Sequence, residues 1–240
     1  MYLPLLVRSH PCAFVSSLAA AALVITGWTL LPTMQSINGT ATLSGNDDAS
    51  RPPGPPWVYG HMDARFTVIE YADLECPYCR AYFPVLKQWI DTNPEVNWQW
   101  HHLPLSVHEP AATAEARLAE CAGEADGHKG FWQAVAWIYS HTRGDGQGLP
   151  KDVRFPSAIP SIQRCLDSDR PDGTIRAQAT EAAQNGIAAT PTLRLRDRHS
   201  GKTLLLQGTV EGDALTSAID LLSSDEVAKM PVDAVGNVPK

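Results

Sequence analysis

The segment "FTVIEYADLECPYCRAYFP" places two cysteines at the junction of a predicted strand and a predicted helix. Residues 66–71 are β-branched and aromatic, which predicts a buried strand, and residues 76–92 have helical spacing of apolar side chains around Pro84. Cys76 and Cys79 therefore lie one turn apart on one face of the helix. Such a pair can hold a metal, form a permanent structural disulfide or exchange electrons with other thiols. The spacing alone does not decide between these three roles, so the remainder of the sequence is needed.

The other predicted elements complete the order β-α-β, a helical block, then β-β-α. With 240 residues, 44% of them apolar, the chain is long enough to bury a core around such a sheet. The predicted strands are 96–105, 191–196 and 202–208, and the predicted helices are 110–125, 129–141, 157–166, 174–184 and 213–222.

The N-terminal segment predicts export from the cytoplasm. Arg8 precedes an uncharged apolar run over residues 13–31, which is typical of a signal peptide and is also long enough to span a bilayer. We expect residues 1–35 to be either a cleaved signal or an uncleaved membrane anchor, with the remainder of the chain in the periplasm or another extracytoplasmic space. A polar, disordered linker (36–56), a folded domain (57–224) and a flexible tail (225–240) are predicted to follow.

Charge and residue spacing disfavour two other classes of function. The formal net charge of −7 is unfavourable for binding nucleic acids, which require Lys and Arg at their phosphates. A zinc site could be written from Cys76, Cys79, His101 and His102, but adjacent residues of a strand point to opposite faces. The usual His-x₃₋₅-His spacing is also absent. We expect no metal at this site.

Two further cysteines, Cys121 and Cys165, fall on predicted helices of the helical block. In an oxidising compartment they can pair, and closing a loop of that size stabilises a fold by roughly 3–4 kcal/mol. The alternative is two independent buried thiols. We favour a structural disulfide that takes no part in catalysis.

Three stretches together identify a resemblance to a known family: "YGHMDARFTVIEYADLECPYC", "HHLPLSVHEPAATAEARLAECAG" and "GIAATPT". They resemble the DsbA-like thiol:disulfide oxidoreductases, which are exported members of the thioredoxin superfamily. The resemblance covers residues 57–222. It implies an α/β thioredoxin fold, β-α-β then β-β-α, interrupted by a helical insertion at about 108–185.

The resemblance also implies roles for individual residues. Cys76 corresponds to the nucleophile of the family and Cys79 to the cysteine that resolves the mixed disulfide. Glu70 stands where the family commonly has a buried acid, although a strand-end acid facing solvent is the alternative. Thr190 and Pro191 correspond to a cis-proline loop that faces the cysteines and pairs with the substrate backbone.

The start of the helix should favour a thiolate at Cys76, because unpaired backbone N–H groups and the helix dipole stabilise negative charge there. Pro77 suits the first helical turn, where its missing N–H is not needed. We expect the sulfur of Cys76 to be exposed, that of Cys79 to be shielded, and Tyr78 to be partly exposed, where it could contact substrate.

Two acids oppose this effect. Glu75 directly precedes Cys76, at a position where the family usually has an aromatic or apolar residue, and Asp73 is close by. A neighbouring negative charge disfavours ionisation of a thiol. The helix start and the acids therefore act in opposite directions on the pKa of Cys76.

These features predict an exported enzyme that exchanges disulfides with protein cysteines through its C-P-Y-C pair and needs no cofactor. A dithiol oxidase is favoured, because the linker is too short to be the dimerisation domain of a dimeric isomerase. The expected partners are cysteine-containing exported proteins and a membrane protein that recycles the pair. A disulfide reductase or isomerase, or a non-catalytic binding module of the same fold, is the alternative.

Overall fold

The structure is a computed structural model that describes residues 54–156 and 159–224. The predicted signal or anchor, most of the predicted linker, the predicted tail and the first two residues of the helix predicted at 157–166 lie outside these ranges. Within them, no helix combines the length and the apolar character needed to cross a membrane.

A single five-stranded sheet carries the site. Its spatial order is β1-β3-β2-β4-β5, in which β2 and β3 are parallel and the other neighbours are antiparallel. The edge strand β1 was not predicted, because two residues are too few to show a period. The strands are β1 (Val58–Tyr59), β2 (Phe66–Ala72), β3 (Val96–His102), β4 (Thr192–Asp197) and β5 (Thr203–Gln207).

Five helices and one 3₁₀ turn (Ser106–His108) complete the fold. Three of the helices lie between β3 and β4, where the helical insertion was predicted. The order β-α-β, helices, β-β-α is thus the predicted one. The helices are α1 (Pro77–Thr92), α2 (Ala111–His141), α3 (Pro160–Leu166), α4 (Arg170–Gln184) and α5 (Gly212–Ser223).

The helix α2 joins two segments that were predicted as separate helices. The backbone leaves helical geometry at Asp126 (φ −139°) and Gly127 (φ 63°) and then resumes it. A positive φ costs least at glycine, so Gly127 is where the chain can break without ending the helix.

The core lies between α1, the sheet and α2. On α1, Phe83 packs against Trp98 of β3 and Trp132 of α2, and the two indole rings lie 4.4 Å apart between centroids. Large aromatic side chains in such tilted contacts dominate the burial of apolar surface. This core fixes the orientation of α1 and therefore of the cysteines at its start.

A buried polar network ties the insertion to the sheet. Glu120 of α2 accepts hydrogen bonds from Trp57 Nε1 (2.9 Å) and His102 Nε2 (3.1 Å). The other ring nitrogen of His102 accepts from Trp100 Nε1 (3.0 Å), which places the imidazole proton on Nε2. All members of the network are thereby satisfied without water.

The insertion is also crosslinked within itself. Cys121 of α2 and Cys165 of α3 form a disulfide, with 5.5 Å between their Cα atoms. Both residues are buried in the core of the insertion.

Candidate active site at the start of helix α1

The first turn of α1 is built around Cys76. Cys76 is the N-cap, with extended backbone angles (φ −73°, ψ 121°), and Pro77 follows in the first helical turn. No side chain caps the helix, so its first N–H groups are free to face the sulfur. Tyr78, between the two cysteines, is 69% exposed.

The pKa of Cys76 is lowered to about 6. The largest cause is a hydrogen bond from the Cys79 thiol, and burial acts in the opposite direction. The Thr190 side chain and the backbone N–H groups of Cys79 and Tyr78 add to the lowering. A thiol of this pKa is mostly ionised at neutral pH, which is the state that attacks disulfides.

Cys76 is less accessible than the sequence suggested. It is only 3% exposed, and Cys79 is fully buried. The expectation of an exposed Cys76 was wrong because the loop before β4 covers it: the Cys76 thiol donates to the Thr190 carbonyl at 3.5 Å. A partner sulfur must therefore approach past this loop.

The loop that covers Cys76 contains Thr190 and Pro191, joined by a cis peptide bond. The Thr190 hydroxyl is buried close to Cys76 and has no hydrogen-bond partner among the described residues, so an ionised Cys76 sulfur can serve as its acceptor. The Pro191 carbonyl accepts from Gly208 N at 2.9 Å, which anchors the loop to the end of β5.

Glu70 lies on the central strand β2 and is 1% exposed, so it does not face solvent. Burial raises its pKa to about 8, opposed by the nearby indole N–H of Trp98 and aided by the charge of Cys76. Burial is also the main cause that raises the pKa of Cys79 well above its usual value, with further contributions from Cys76 and Glu70. The two thiols of the pair thus differ sharply in acidity.

Asp73 does not act on Cys76 as a free negative charge. Its carboxylate is buried and accepts from Glu75 N (2.8 Å), Leu105 N (2.8 Å) and His108 Nδ1 (2.7 Å). His108, in the 3₁₀ turn, is therefore buried in this contact. Three donors stabilise the charge of Asp73 where it stands.

The carboxylate of Glu75 is also hydrogen-bonded. The pKa of Cys76 is lowered although Glu75 precedes it, so the hydrogen bonds at the start of the helix outweigh the neighbouring acid. The Glu75 carboxylate accepts from Gly148 N (2.8 Å) and from the Thr142 hydroxyl, and its carbonyl accepts from Asp145 N (2.9 Å). The sequence did not identify the segment 142–148 as part of the site, because it lies about 70 residues from Glu75 along the chain. Its only signal was the glycine-rich run "RGDGQG".

The two histidines considered for zinc lie apart from the cysteines. His102 is held in the network with Trp100 and Glu120, and His101 lies against Tyr71 and Glu181 on the other face of the sheet. Within residues 54–156 and 159–224, no group of three or more His, Cys, Asp or Glu side chains is placed to hold a metal ion.

Comparisons with known proteins agree with this architecture. A family model described as "Thioredoxin" matches residues 53–220. The crystal structure of DsbA2 from Pseudomonas aeruginosa is 43% identical, with a TM-score of 0.69, over 72% of this chain and 97% of that one. A periplasmic thioredoxin-like protein from Salmonella enterica serovar Typhimurium shares the fold at 20% identity, with a TM-score of 0.52 over 75% of this chain and 94% of that one.

Among curated proteins, the Na(+)/H(+) antiporter NhaA 3 of Salinispora tropica is 30% identical over 155 residues, which are 62% of this chain and 23% of that protein. The antiporter NhaA 1 of Salinispora arenicola is 27% identical over 70% of this chain and 24% of its own. The chain spans about a quarter of the length of these curated relatives.

Proposed function

We propose that this chain, which belongs to the thioredoxin family and is similar to DsbA2, is a thiol:disulfide oxidoreductase and, more specifically, a dithiol oxidase acting on protein cysteines outside the cytoplasm. In this proposal Cys76 and Cys79 are the exchanging pair. A membrane protein reoxidises the pair after each cycle, and the N-terminal segment, as a signal or an anchor, delivers the domain to that compartment.

The observation that carries the proposal is the difference in acidity between the two thiols. With a pKa of about 6, Cys76 is roughly nine-tenths ionised at pH 7 in the reduced protein. Compared with an unperturbed thiol, this stabilises the reduced form by about 1.4 kcal/mol, or ~30 mV in reduction potential. A stabilised reduced form makes the disulfide a better oxidant.

The first step consumes the Cys76–Cys79 disulfide. A substrate thiolate attacks the sulfur of Cys76, a mixed disulfide forms, and Cys79 leaves. Because the pKa of Cys79 is raised, the leaving sulfur takes up a proton, and the carboxyl group of Glu70 is the donor that we propose.

In the second step, the other substrate thiolate attacks the substrate sulfur of the mixed disulfide. Cys76 leaves as a thiolate, which its low pKa favours. The substrate has lost two electrons and gained a disulfide, and the enzyme has gained two electrons as a dithiol. The loop of Thr190 and Pro191 is proposed to pair with the extended substrate backbone beside Cys76, and exposed Tyr78 to contact the substrate.

Trapping of mixed disulfides tests the assignment of the pair. In Cys79→Ala, the thiolate of Cys76 attacks substrate disulfides and no second thiol releases them, so mixed disulfides with exported proteins should accumulate. The matched variant Cys76→Ala should trap none. Equal trapping by both variants, or none by either, contradicts the assignment.

The reduction potential of the Cys76–Cys79 couple then tests the direction. It is measured by equilibration with glutathione, followed by alkylation and mass analysis. A value closer to −120 mV than to −270 mV is expected for an oxidase, whereas a value near −270 mV would assign the protein as a reductant.

A further inference from the structure

A second buried carboxyl group faces Glu75 from the insertion. Glu115 of α2 is 3% exposed, and neither of its carboxyl oxygens receives a hydrogen bond from an N–H or O–H donor of the described residues. The segment 142–148, which holds Glu75, packs on the same part of α2: a Cβ atom added at Gly148 would lie 3.2 Å from that of Ala111, one helical turn before Glu115. The charge of Glu75 raises the pKa of Glu115, as expected for neighbouring carboxyl groups. Glu75 itself is fully buried.

Two buried carboxyl groups can remain in contact only if they share a proton, because two ionised groups repel each other strongly at low dielectric. Both oxygens of Glu75 already accept from donors, Thr142 Oγ1 and Gly148 N. The surroundings of Glu75 therefore favour its ionised form. Glu115 has no donor among the described residues, so its surroundings favour its protonated form.

From this contact we propose that Glu115 is a positioning residue for Cys76: it holds a proton, donates it to Glu75, and so secures the segment 142–148 beside the nucleophile. The inference rests on the proposed function only in taking Cys76 as the reactive thiol.

The segment that Glu115 would secure touches the nucleophile's own backbone. Asp145 N donates to the carbonyl of Glu75, whose peptide group continues into Cys76. Arg80, on the first turns of α1, donates to the Thr142 carbonyl at 3.0 Å. Loss of the carboxyl contact would therefore loosen both sides of the turn that aims N–H groups at the sulfur.

The remaining titratable groups near the pair are already assigned to other partners. Asp73, which precedes α1, is bound by His108 of the 3₁₀ turn, and Tyr139 of α2 donates to the Asp73 carbonyl at 3.3 Å. Burial is the main reason that the pKa of Glu115 rises from 4.5 to about 9, followed by the hydrogen bond with Glu75 and its charge. Asp73 adds to this rise and Thr142 opposes it.

The variant Glu115→Gln tests whether Glu115 carries a proton in the folded protein. A group whose pKa is raised on folding contributes stability below its unfolded pKa, and this stability is lost as the pH rises toward the folded pKa. The folding equilibrium constant of the full chain, from urea unfolding, should fall tenfold per pH unit relative to that of Glu115→Gln between pH 4.5 and about 9. Parallel curves for the two proteins overturn the proposal.

The variants Glu115→Gln and Glu115→Leu test the positioning. The amide of Gln can still donate to Glu75, whereas Leu fills a similar volume without a donor. From the pH profile of Cys76 alkylation in the reduced full chain, Gln should keep the pKa near 6. Leu should raise it enough to reduce the thiolate fraction at pH 5 by about threefold or more.

An unchanged alkylation profile in Glu115→Leu overturns the positioning role. If that variant does not fold, Thr142→Val removes the other side-chain donor to Glu75, and the same rise is expected or the proposal fails. Neither alkylation nor unfolding requires exchange with protein substrates. If the Cys79→Ala variant traps no substrate, the proposed function fails, but the alkylation and unfolding results can still support the role of Glu115. Failure of the proposed function and failure of this inference are therefore distinguishable.

Discussion

At the scale of single residues, burial changes which proton each side chain can hold. Glu70 and Cys79 are both buried, and the pKa of each is raised because water cannot stabilise its charge. Cys76 is nearly as buried, yet its pKa falls because hydrogen bonds face its sulfur. The direction of each shift follows from whether donors are present.

Glu70→Gln should show whether this carboxyl group transfers a proton. Below about pH 8 the buried carboxyl is protonated and can act as the acid when Cys79 leaves; above that pH it cannot. In single turnovers of the oxidised enzyme with a dithiol peptide, the variant should be slower by ~10–100-fold at pH 7. The ratio of wild-type to variant rates should fall as the pH rises through about 8.

The exposed residue Glu95 provides the control, since Glu95→Gln makes the same chemical change away from the cysteines and should leave the rate unaltered. A Glu70→Gln enzyme with the rate and pH profile of the wild type would show that the carboxyl group takes no part in the step.

At the scale of elements, α2 is positioned by a close approach to the start of the domain. A Cβ atom added at Gly123 would lie 2.5 Å from the Trp57 ring, which also stacks on Phe131 of the same helix. This position admits only glycine because the indole fills the space. Gly173 of α4, in contrast, has no atom within 4 Å of an added Cβ.

The pair Gly123→Ala and Gly173→Ala should therefore change stability in opposite directions. We expect the first to lower the free energy of unfolding by about 1–3 kcal/mol through overpacking against Trp57. The second should raise it by about 0.5–1 kcal/mol, since alanine is the better helix former. Urea unfolding at pH 7 measures both, and a neutral Gly123→Ala would mean that the ring can move aside.

At the scale of the whole molecule, the insertion is fixed to the sheet and to the start of α1 by two separate groups of buried polar contacts. The network of Glu120 with Trp57 and His102 lies in the first half of α2, and the contacts of segment 142–148 with Glu75 follow its last residue. The disulfide of Cys121 and Cys165 braces the insertion itself.

Replacing both Cys121 and Cys165 by alanine should lower the free energy of unfolding by about 3–4 kcal/mol, because the unfolded chain regains the entropy of an open loop. The measurement is urea unfolding without reductant. Cys76→Ala/Cys79→Ala serves as a control that removes the other pair. Alkylation of Cys121 and Cys165 in the nonreduced wild-type protein would contradict the expectation.

Local patterns in the sequence were sufficient for the order of elements and for the position of the cysteines at a helix start. Contacts between distant residues were not predictable in this way. The cover over Cys76 comes from Thr190, 114 residues later, and the proton partner of Glu75 is Glu115. In the alanine-rich run "AATAEARLAE", a glutamate predicts only a solvated helix face, and nothing local marks it as buried.

If the protein is the oxidase proposed above, the disulfide of Cys121 and Cys165 is a bond that it would also form in other copies of itself. Each newly made copy leaves the ribosome with these sulfurs reduced, and its insertion is unbraced until an oxidant has removed two electrons from them. Under the proposed function, an older copy carrying an oxidised C-P-Y-C pair would be such an oxidant, so the maturation of new molecules would accelerate as mature ones accumulate.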